Sequence, residues 1–453
     1  MSTELEMFVT YPRIFLSLLS LKLFNDAINA GRMDEMIATM DVAVSGMNGA
    51  GPVAALLNHP TISVSTIVNI FNNTNIQDPQ IASILNSPNI SSAKAASIIN
   101  DPNLSISKAI SILKDTNLSH DRAQAILYAM ADNGYYDKLI SIICYGASSA
   151  TISANTTITA GVNRYDTLTI NSGVTLTVNT APRLIVANTI NNAGTITTTD
   201  SVAGGAPGAS GAGAGGVGSG GIIIFAKSLV TGTISANGGA GGNGSTVGAS
   251  GSGGAGTGGV LWEISGYPAG TGGAGAGGYA GAGSKNAGGG GGYSTNRGGA
   301  GGRATVTTFT SPTSLLAELF KALADWWLVN VLNKTPTTTK SLPDLKGSGG
   351  GGGGAYDGAC AAGGGGGGGG EIIIYGTSIT AGAINAAGGA GGNGGTEGTY
   401  DYAGGGGGGG LIYVCYKSLS GTFTFNVSGG AGGTGDFGNG AAGTAGSAVT
   451  FAV

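Results

Sequence analysis

The sequence predicts a multidomain chain in which helices come first and strands follow. We expect a helical repeat array with a 14-residue period, a short-stranded β sandwich or solenoid, and a glycine-rich body of polyglycine-type extended helices. Three observations lead to this fold class. A phrase rich in Asn, Ser and Ile recurs at a step of fourteen near the N-terminus, Thr, Ile and Val alternate from residue 148, and 92 of the 453 residues are glycine.

The array is visible when residues 58, 72, 86, 100 and 114 are aligned, because the text then reads N-x-P-N-[IL]-S-x-x-x-A-x-x-I-L. Ser91, Ser105 and Ser119 stand where a helix N-cap is needed. Each helix is too short to be stable alone, so we expect the copies to stack. The array takes up residues 56–147, behind a helical docking segment at 1–55.

The strands begin with a β-rich neck at 148–202, in which Thr, Ile and Val alternate with small polar residues. A longer phrase then recurs. GGIIIFAKSLVTGTISANGGAGGNG starts at Gly220, GGEIIIYGTSITAGAINAAGGAGGNGG at Gly369, and GGLIYVCYKSLSGTFTFNVSGGAGGTG at Gly409. We interpret each apolar stretch as a strand in a stack of strands, like a rung of a ladder. The glycine segments leave from the ends of this ladder. An inserted segment at 311–346 divides the body into a first part, 203–310, and a second part, 347–453.

The glycine segments themselves allow two interpretations. Glycine has no Cβ, so extended threefold glycine helices can lie side by side and exchange backbone hydrogen bonds. The alternative is a low-complexity spacer. The recurrence of the rung phrase together with its glycine tail favours the ordered interpretation.

An amphipathic helix is inserted between the two parts of the body, in segment 311–346. Its apolar residues cover more than half of its circumference, so the helix needs a cover. We expect it to pack in the core or between copies of the chain, and a membrane or host-surface contact is the alternative. The packing residues are Leu316, Leu319, Phe320, Leu323, Trp326 and Trp327.

Aromatic residues next to Asp, Asn or Arg interrupt the glycine stretches. A tyrosine ring can stack on the apolar face of a sugar while a polar neighbour fixes a hydroxyl. The alternative is that these tyrosines only cap the ends of the glycine helices. The candidate receptor-binding residues are Tyr267, Tyr279, Tyr293, Asn296, Arg297, Tyr356, Asp357, Tyr400, Asp401 and Tyr402.

Composition excludes other classes of protein. Charged residues make up only 9% and the net charge is −4, which argues against nucleic acid as a partner and against charge-rich disorder. Proline is not raised and Gly does not recur strictly every third residue, so a collagen helix is excluded. The three cysteines form no CxxC pair, no catalytic motif stands in a plausible context, and we expect no metal, cofactor or enzyme activity.

The N-terminus predicts neither a signal peptide nor a transmembrane segment. It has no basic n-region, and its apolar run, Ile14–Leu21, ends at Lys22 and is too short to cross a bilayer.

The chain has a helical attachment end, a β-rich neck and a body of GGAGGNG-type segments. In this layout it resembles glycine-rich viral tail-fibre and tail-tip adhesins. It looks most like structural tail proteins of archaeal, spindle-shaped viruses. The resemblance implies a non-enzymatic virion protein that attaches to a host-surface glycan or protein. It also implies a homo-oligomer that contacts other tail proteins through its N-terminal helices. A self-associating sheath or pilus-like surface protein is the alternative, and a glycan hydrolase would need a carboxylate pair that the sequence does not offer.

Overall fold

The computed structural model describes residues 54, 57–58, 60, 62–72, 76–198, 215–244, 312–336, 338–342, 363–395, 403–436 and 439–453. The chain divides into two compact units. The helical unit consists of Met1–Tyr145 with Leu316–Ser341, and the sheet unit consists of Gly146–Leu315 with Leu342–Val453.

Short helices of nearly equal length build the helical unit. They are α1 (Val64–Asn72), α2 (Asp78–Asn86), α3 (Ser92–Asn100), α4 (Ile106–Lys114), α5 (His120–Asp132), α6 (Tyr136–Cys144) and α7 (Pro312–Asn330). The first five begin fourteen residues apart. Each packs against the second helix along the chain, α1 on α3, α2 on α4 and α3 on α5.

Serine hydroxyls start three of these helices. The side chains of Ser91, Ser105 and Ser119 accept hydrogen bonds from backbone N–H groups three residues later. The predicted N-caps are therefore confirmed. Replacing such a cap by alanine typically costs about 1 kcal/mol.

Asparagines of the repeat tie alternate copies together. Asn58 Oδ1 accepts the N–H of Ser91 at 3.1 Å, and Asn86 Oδ1 accepts the N–H of Ser119 at 2.9 Å. The 14-residue step therefore serves two purposes. It places a cap at each helix start, and it places an acceptor for the cap two copies later.

Long cationic side chains close the turns between helices. Each donates to carbonyl oxygens of a turn that lies far away in the sequence, which would otherwise be buried without a partner. The donors and acceptors are Lys94 to Ile62 at 2.7 Å, Arg122 to Leu85 at 2.6 Å, Lys138 to Leu104 at 2.6 Å and Lys334 to Leu118 at 2.6 Å. Burial lowers the pKa of Lys94, Arg122 and Lys334.

Two parallel sheets build the sheet unit. Sheet A has the order β1-β3-β5-β7-β9-β11-β13, and sheet B has the order β12-β10-β8-β6-β4-β2. The chain passes from sheet A to sheet B and back, so each passage adds one strand to each sheet.

The strands of sheet A are mostly long and those of sheet B short. Sheet A consists of β1 (Ala150–Ile152), β3 (Val162–Ile170), β5 (Leu184–Asn192), β7 (Ile222–Val230), β9 (Glu371–Thr380), β11 (Leu411–Ser420) and β13 (Ser447–Ala452). Sheet B consists of β2 (Thr156–Ile158), β4 (Thr175–Val178), β6 (Thr195–Thr198), β8 (Thr233–Ser235), β10 (Ala383–Asn385) and β12 (Thr424–Asn426).

Aliphatic side chains fill the space between the sheets. Ile224, Ile374 and Val414 come into register on neighbouring strands of sheet A, and all three are buried. Ile196 and Ile234 face them from sheet B. The intervening residues Ile223 and Ile373 are buried as well. Burial on both faces explains why these strands are continuous apolar runs rather than alternating ones.

The predicted fold class is wrong. The neck and the glycine-rich body do not form separate structures, because β5 of the neck pairs with β7 of the body in one parallel sheet. The helices do not all precede the strands, because α7 lies between β8 and β9 in the chain and groups with the N-terminal helices. The described residues hold seven helices and two parallel sheets, an α/β-like layout.

Candidate functional site

Glycine tracts extend both sheets at the same side. Four tracts, which we call leading tracts, precede strands of sheet A: 215–221, 363–370, 403–410 and 439–446. Three tracts, which we call trailing tracts, follow strands of sheet B: 236–244, 386–395 and 427–435. The tracts therefore form two layers that continue the two sheets.

Parallel hydrogen bonds join tracts within a layer. Among leading tracts, Gly366 N–H donates to Gly405 O at 2.9 Å and Gly369 N–H donates to Gly408 O at 3.0 Å. The bonds recur at every third residue, which is the period of an extended chain with three residues per turn.

Antiparallel hydrogen bonds join the two layers. Gly364 donates to Gly242 at 2.8 Å, and Gly367 donates to Gly239 at 2.7 Å. Moving three residues forward in the leading tract, from Gly364 to Gly367, moves the bonded partner three residues backward in the trailing tract, from Gly242 to Gly239. A tract inside the lattice is therefore bonded to neighbours in its own layer and in the other one.

Contact between backbones explains why these positions are glycine. A Cβ on Gly366 would overlap the carbonyl oxygen of Gly389, and a Cβ on Gly367 would overlap that of Val217. In the trailing tracts every third residue is exposed, and there alanine and asparagine occur: Ala240, Asn243, Ala390 and Asn393. In the GGAGGNG phrase the two glycines of each turn are therefore the inward positions, and the alanine or asparagine is the outward position.

The ends of the tracts that lie away from the sheets come together. Gly244 N–H donates to Asn393 O at 2.8 Å and Gly394 N–H donates to Thr434 O at 2.9 Å. At the same end, Gly404 N–H donates to Gly392 O at 2.9 Å. We call this edge of the lattice the far end.

Every candidate receptor-binding residue lies outside the described residues. These are Tyr267, Tyr279, Tyr293, Asn296, Arg297, Tyr356, Asp357, Tyr400, Asp401 and Tyr402. Each of their segments is joined to the far end at one end at least, whereas the other ends of segments 245–311 and 343–362 are Pro312 and Leu342. Segment 245–311 follows Gly244, segment 343–362 leads to Gly363, and segment 396–402 joins Gly395 to Ala403.

The apolar residues of the inserted helix are covered within this chain. Leu316, Leu319, Phe320 and Leu323 are fully buried, Trp327 is 1% exposed and Trp326 is half-buried. The Phe320 ring stacks on Tyr136 of α6 with a centroid distance of 4.5 Å. Helix α7 is therefore part of the core of the helical unit.

A buried carboxylate fixes the segment that follows α7. Asp325 is fully buried, and its oxygens accept hydrogen bonds from Gln124 at 2.7 Å, Tyr128 at 2.6 Å and the N–H of Lys340 at 2.7 Å. Burial, together with the neighbouring Asp325 carboxylate, raises the pKa of the Tyr128 hydroxyl. The arrangement satisfies all its members and has the character of structural polar packing.

A second buried carboxyl lies where the tract 363–370 enters sheet A. Glu371 is 5% exposed and its Oε2 has no hydrogen-bond partner. Burial raises the pKa of Glu371 to about 7. Burial also raises the pKa of the Cys415 thiol to about 12, so that this thiol is unreactive.

Sequence reasoning missed the cations and asparagines that join the repeats. The signal was present, because Lys94, Lys108 and Arg122 stand fourteen residues apart, as do Asn58, Asn72 and Asn86. Within the described residues, we find no cluster of three or more potential metal ligands, and none of the helices combines the length and apolarity that crossing a bilayer requires.

Comparisons with known proteins give no match to a family model, to a curated protein or to a solved structure.

Proposed function

We propose that this chain is a non-enzymatic attachment protein of a virus particle, a tail-fibre or tail-tip adhesin that contacts a host surface. One observation carries the proposal. The glycine tracts are hydrogen-bonded within and between two layers, and each segment that holds tyrosine, aspartate or arginine candidates begins or ends at the far end of this lattice, segment 396–402 at both of its ends. Recognition residues on connections between rigid elements are a recurrent design of binding proteins.

The helical unit has the properties of an attachment base. Its helices are joined by side-chain bonds between alternate copies, and its core is closed by α7. We assign it the contact with other virion proteins. In this proposal the protein is a homo-oligomer, located on the particle and exposed to the medium.

The test uses the full-length protein, labelled with a fluorophore and mixed with archaeal and bacterial cells that include hosts of spindle-shaped viruses. We expect saturable binding that excess host-surface glycan competes away. The variant Y400A/Y402A removes two aromatic anchors from segment 396–402 and should weaken binding at least tenfold, as loss of hot-spot residues does.

The matched control is Y145A, which removes a tyrosine that is 48% exposed in the helical unit. It should bind as wild type does. The proposal is overturned if the folded wild-type protein binds none of these cells, or if Y400A/Y402A binds them unchanged.

A second function, self-association into a sheath or pilus-like structure, is favoured by a different observation. The described strand order ends at β13 in sheet A and at β12 in sheet B, so one side of each strand has no strand beside it. Open strand edges can pair with another chain. Light scattering over a range of concentrations distinguishes the two functions, since a polymer grows with concentration and a closed oligomer does not.

A further inference from the structure

The outward face of sheet B carries small, uncharged side chains in straight rows. Along each strand the core takes every second residue, as with Ile196 of β6 and Ile234 of β8, and the residues between them point away. We call these outward residues the sheet-B face. They are half-buried or exposed throughout.

Strand register aligns the outward residues across the sheet. The first row is Thr175, Thr195, Thr233, Ala383 and Thr424, in direct register from β4 to β12. The second row is Thr157, Thr177, Thr197, Ser235, Asn385 and Asn426. Neighbours within a row are about 4.8 Å apart and the rows are about 6.6 Å apart.

The trailing tracts continue this pattern toward the far end. Asn243 Oδ1 accepts the N–H of Asn393 at 2.9 Å, and Asn393 Oδ1 in turn accepts the N–H of Thr434 at 2.8 Å. Asn237 Oδ1 accepts the N–H of Ala387 at 2.8 Å. These bonds hold the outward amides in fixed positions, so that the rows are rigid as well as regular.

We propose that the sheet-B face binds a neutral polysaccharide in an extended, ordered form. Threonine, serine and asparagine side chains both donate and accept hydrogen bonds, as sugar hydroxyls do. No named residue of the face is charged, so an ionic ligand would lose its hydration without gaining a counter-charge. The rows run for about 24 Å across six strands, a length that suits a polymer better than a single sugar.

This inference deepens the proposed attachment function by giving its ligand class, and it rests on that function for its biological meaning. It uses other residues, however, so the two can fail separately. Loss of cell binding in Y400A/Y402A with unchanged binding in a sheet-B-face variant would retain the attachment function and overturn this inference.

The experiment measures co-sedimentation of the full-length protein with insoluble cellulose, chitin and mannan. We expect saturable binding to at least one of them. The variant T195V/T197V removes two hydroxyls from the central strand β6 while keeping side-chain shape, and should weaken binding about tenfold. T195S/T197S keeps the hydroxyls and should bind nearly as wild type does.

T380V is the matched control, since Thr380 is an exposed threonine on sheet A. Its binding should be unchanged. The inference is overturned if the wild-type protein sediments with none of the three polysaccharides, or if T195V/T197V binds as tightly as the wild type.

Partition into growing ice is measured in parallel, because rows of threonine could also order water. Incorporation into ice that T195S/T197S abolishes and T195V/T197V preserves would identify the threonine methyl groups as the active part. That result would overturn the polysaccharide assignment.

Discussion

In the helical unit order rests on side chains, whereas in the glycine tracts it rests on the backbone. Helices of nine residues become stable because Ile98 and Ile112 are buried and because Lys138 closes a turn of another repeat. The tracts have almost no side chains to bury, and ordering a glycine costs about 1–2 kcal/mol. Lateral bonds such as Gly366 to Gly405 and Gly392 to Gly364 must offset that cost.

Repetition in a sequence can therefore encode two kinds of packing. In the helical repeat the invariant feature is an apolar position with a cap. In the trailing tracts it is the absence of a side chain at two positions in three, and in the leading tracts 363–370 and 404–410 it is the absence of a side chain at every position. A substitution that one region tolerates should therefore be destructive in the other.

The largest effect is expected for Gly366→Val. The new side chain would overlap the backbone of Gly389 in the other layer, and the lattice has no flexible side chain there that could move away. We expect loss of the folded sheet unit, measured as insoluble protein or as loss of the β signal in circular dichroism. Ala390→Val, at an exposed outward position, should fold normally, and an equally damaging A390V would contradict the assignment of inward and outward positions.

Removal of a side-chain anchor in the helical unit should have the next largest effect. Asp325→Ala leaves the buried Gln124 amide without its carboxylate partner, and we expect a loss of about 4 kcal/mol in the free energy of unfolding. Urea unfolding followed by the helical circular dichroism signal measures it. Asp132→Ala removes an exposed carboxylate from the half-buried Lys321, which keeps Glu318 as a partner, and should cost about 1 kcal/mol. Equal losses in both variants would show that Asp325 is not an anchor.

The stability of the sheet unit should decrease as the pH rises. Burial raises the pKa of Glu371 from 4.5 to about 7, so the folded state holds this proton more tightly than the unfolded state. The favourable contribution is complete below pH 4.5, decreases as the pH rises to about 7, and totals about 3 kcal/mol. Protection factors of the β9 amides at pH 4 and pH 8, in which the intrinsic exchange rate at each pH is divided by the observed rate, measure it.

Glu371→Gln is the control for that measurement, since glutamine keeps the shape without the charge. It should remove most of the pH dependence and slow amide exchange at pH 8. A slope that persists in the Gln variant would assign the effect to another group.

The smallest effect concerns a single helix cap. Ser105→Ala removes the acceptor for the N–H of Lys108 and should cost about 1 kcal/mol. Ser111→Ala, at an exposed position inside the same helix, should leave stability unchanged or raise it slightly. The midpoint of urea unfolding, measured for both variants, tests this prediction: it should fall for Ser105→Ala and not for Ser111→Ala.

Local features of this fold were predictable, and the pairing of distant segments was not. The caps at Ser91, Ser105 and Ser119 follow from spacing alone, because a cap bonds within three residues. The recurring rung phrase is the exception, since it indicated that β7 and β9 are equivalent, and Ile222 does pair with Ile372. The pairing of β5 with β7, which joins the neck to the body, was not expected, because the neck lacks the glycine tail that marks the other rungs.

The same limit applies to the inserted helix and to the candidate site. The apolar face of α7 indicated that it needed a cover, but its partner Tyr136 lies far away in the sequence. The far end of the lattice could not be located either, because the meeting of Gly244 with Asn393 depends on the register of whole tracts. The tyrosine candidates themselves, such as Tyr400 and Tyr402, lie outside the described residues and stay predictions.

The exposed third position of each trailing tract gives the protein an unusual freedom to change. Ala240 and Ala390 are exposed, so a mutation there alters the surface without altering the frame, whereas Asn243 also accepts the backbone N–H of Asn393. In a trailing tract two positions in three must be glycine, because a Cβ there would overlap a neighbouring backbone, and the third position can vary. A protein with this architecture could change its exposed side chains one residue at a time, and a new surface would not require a new fold.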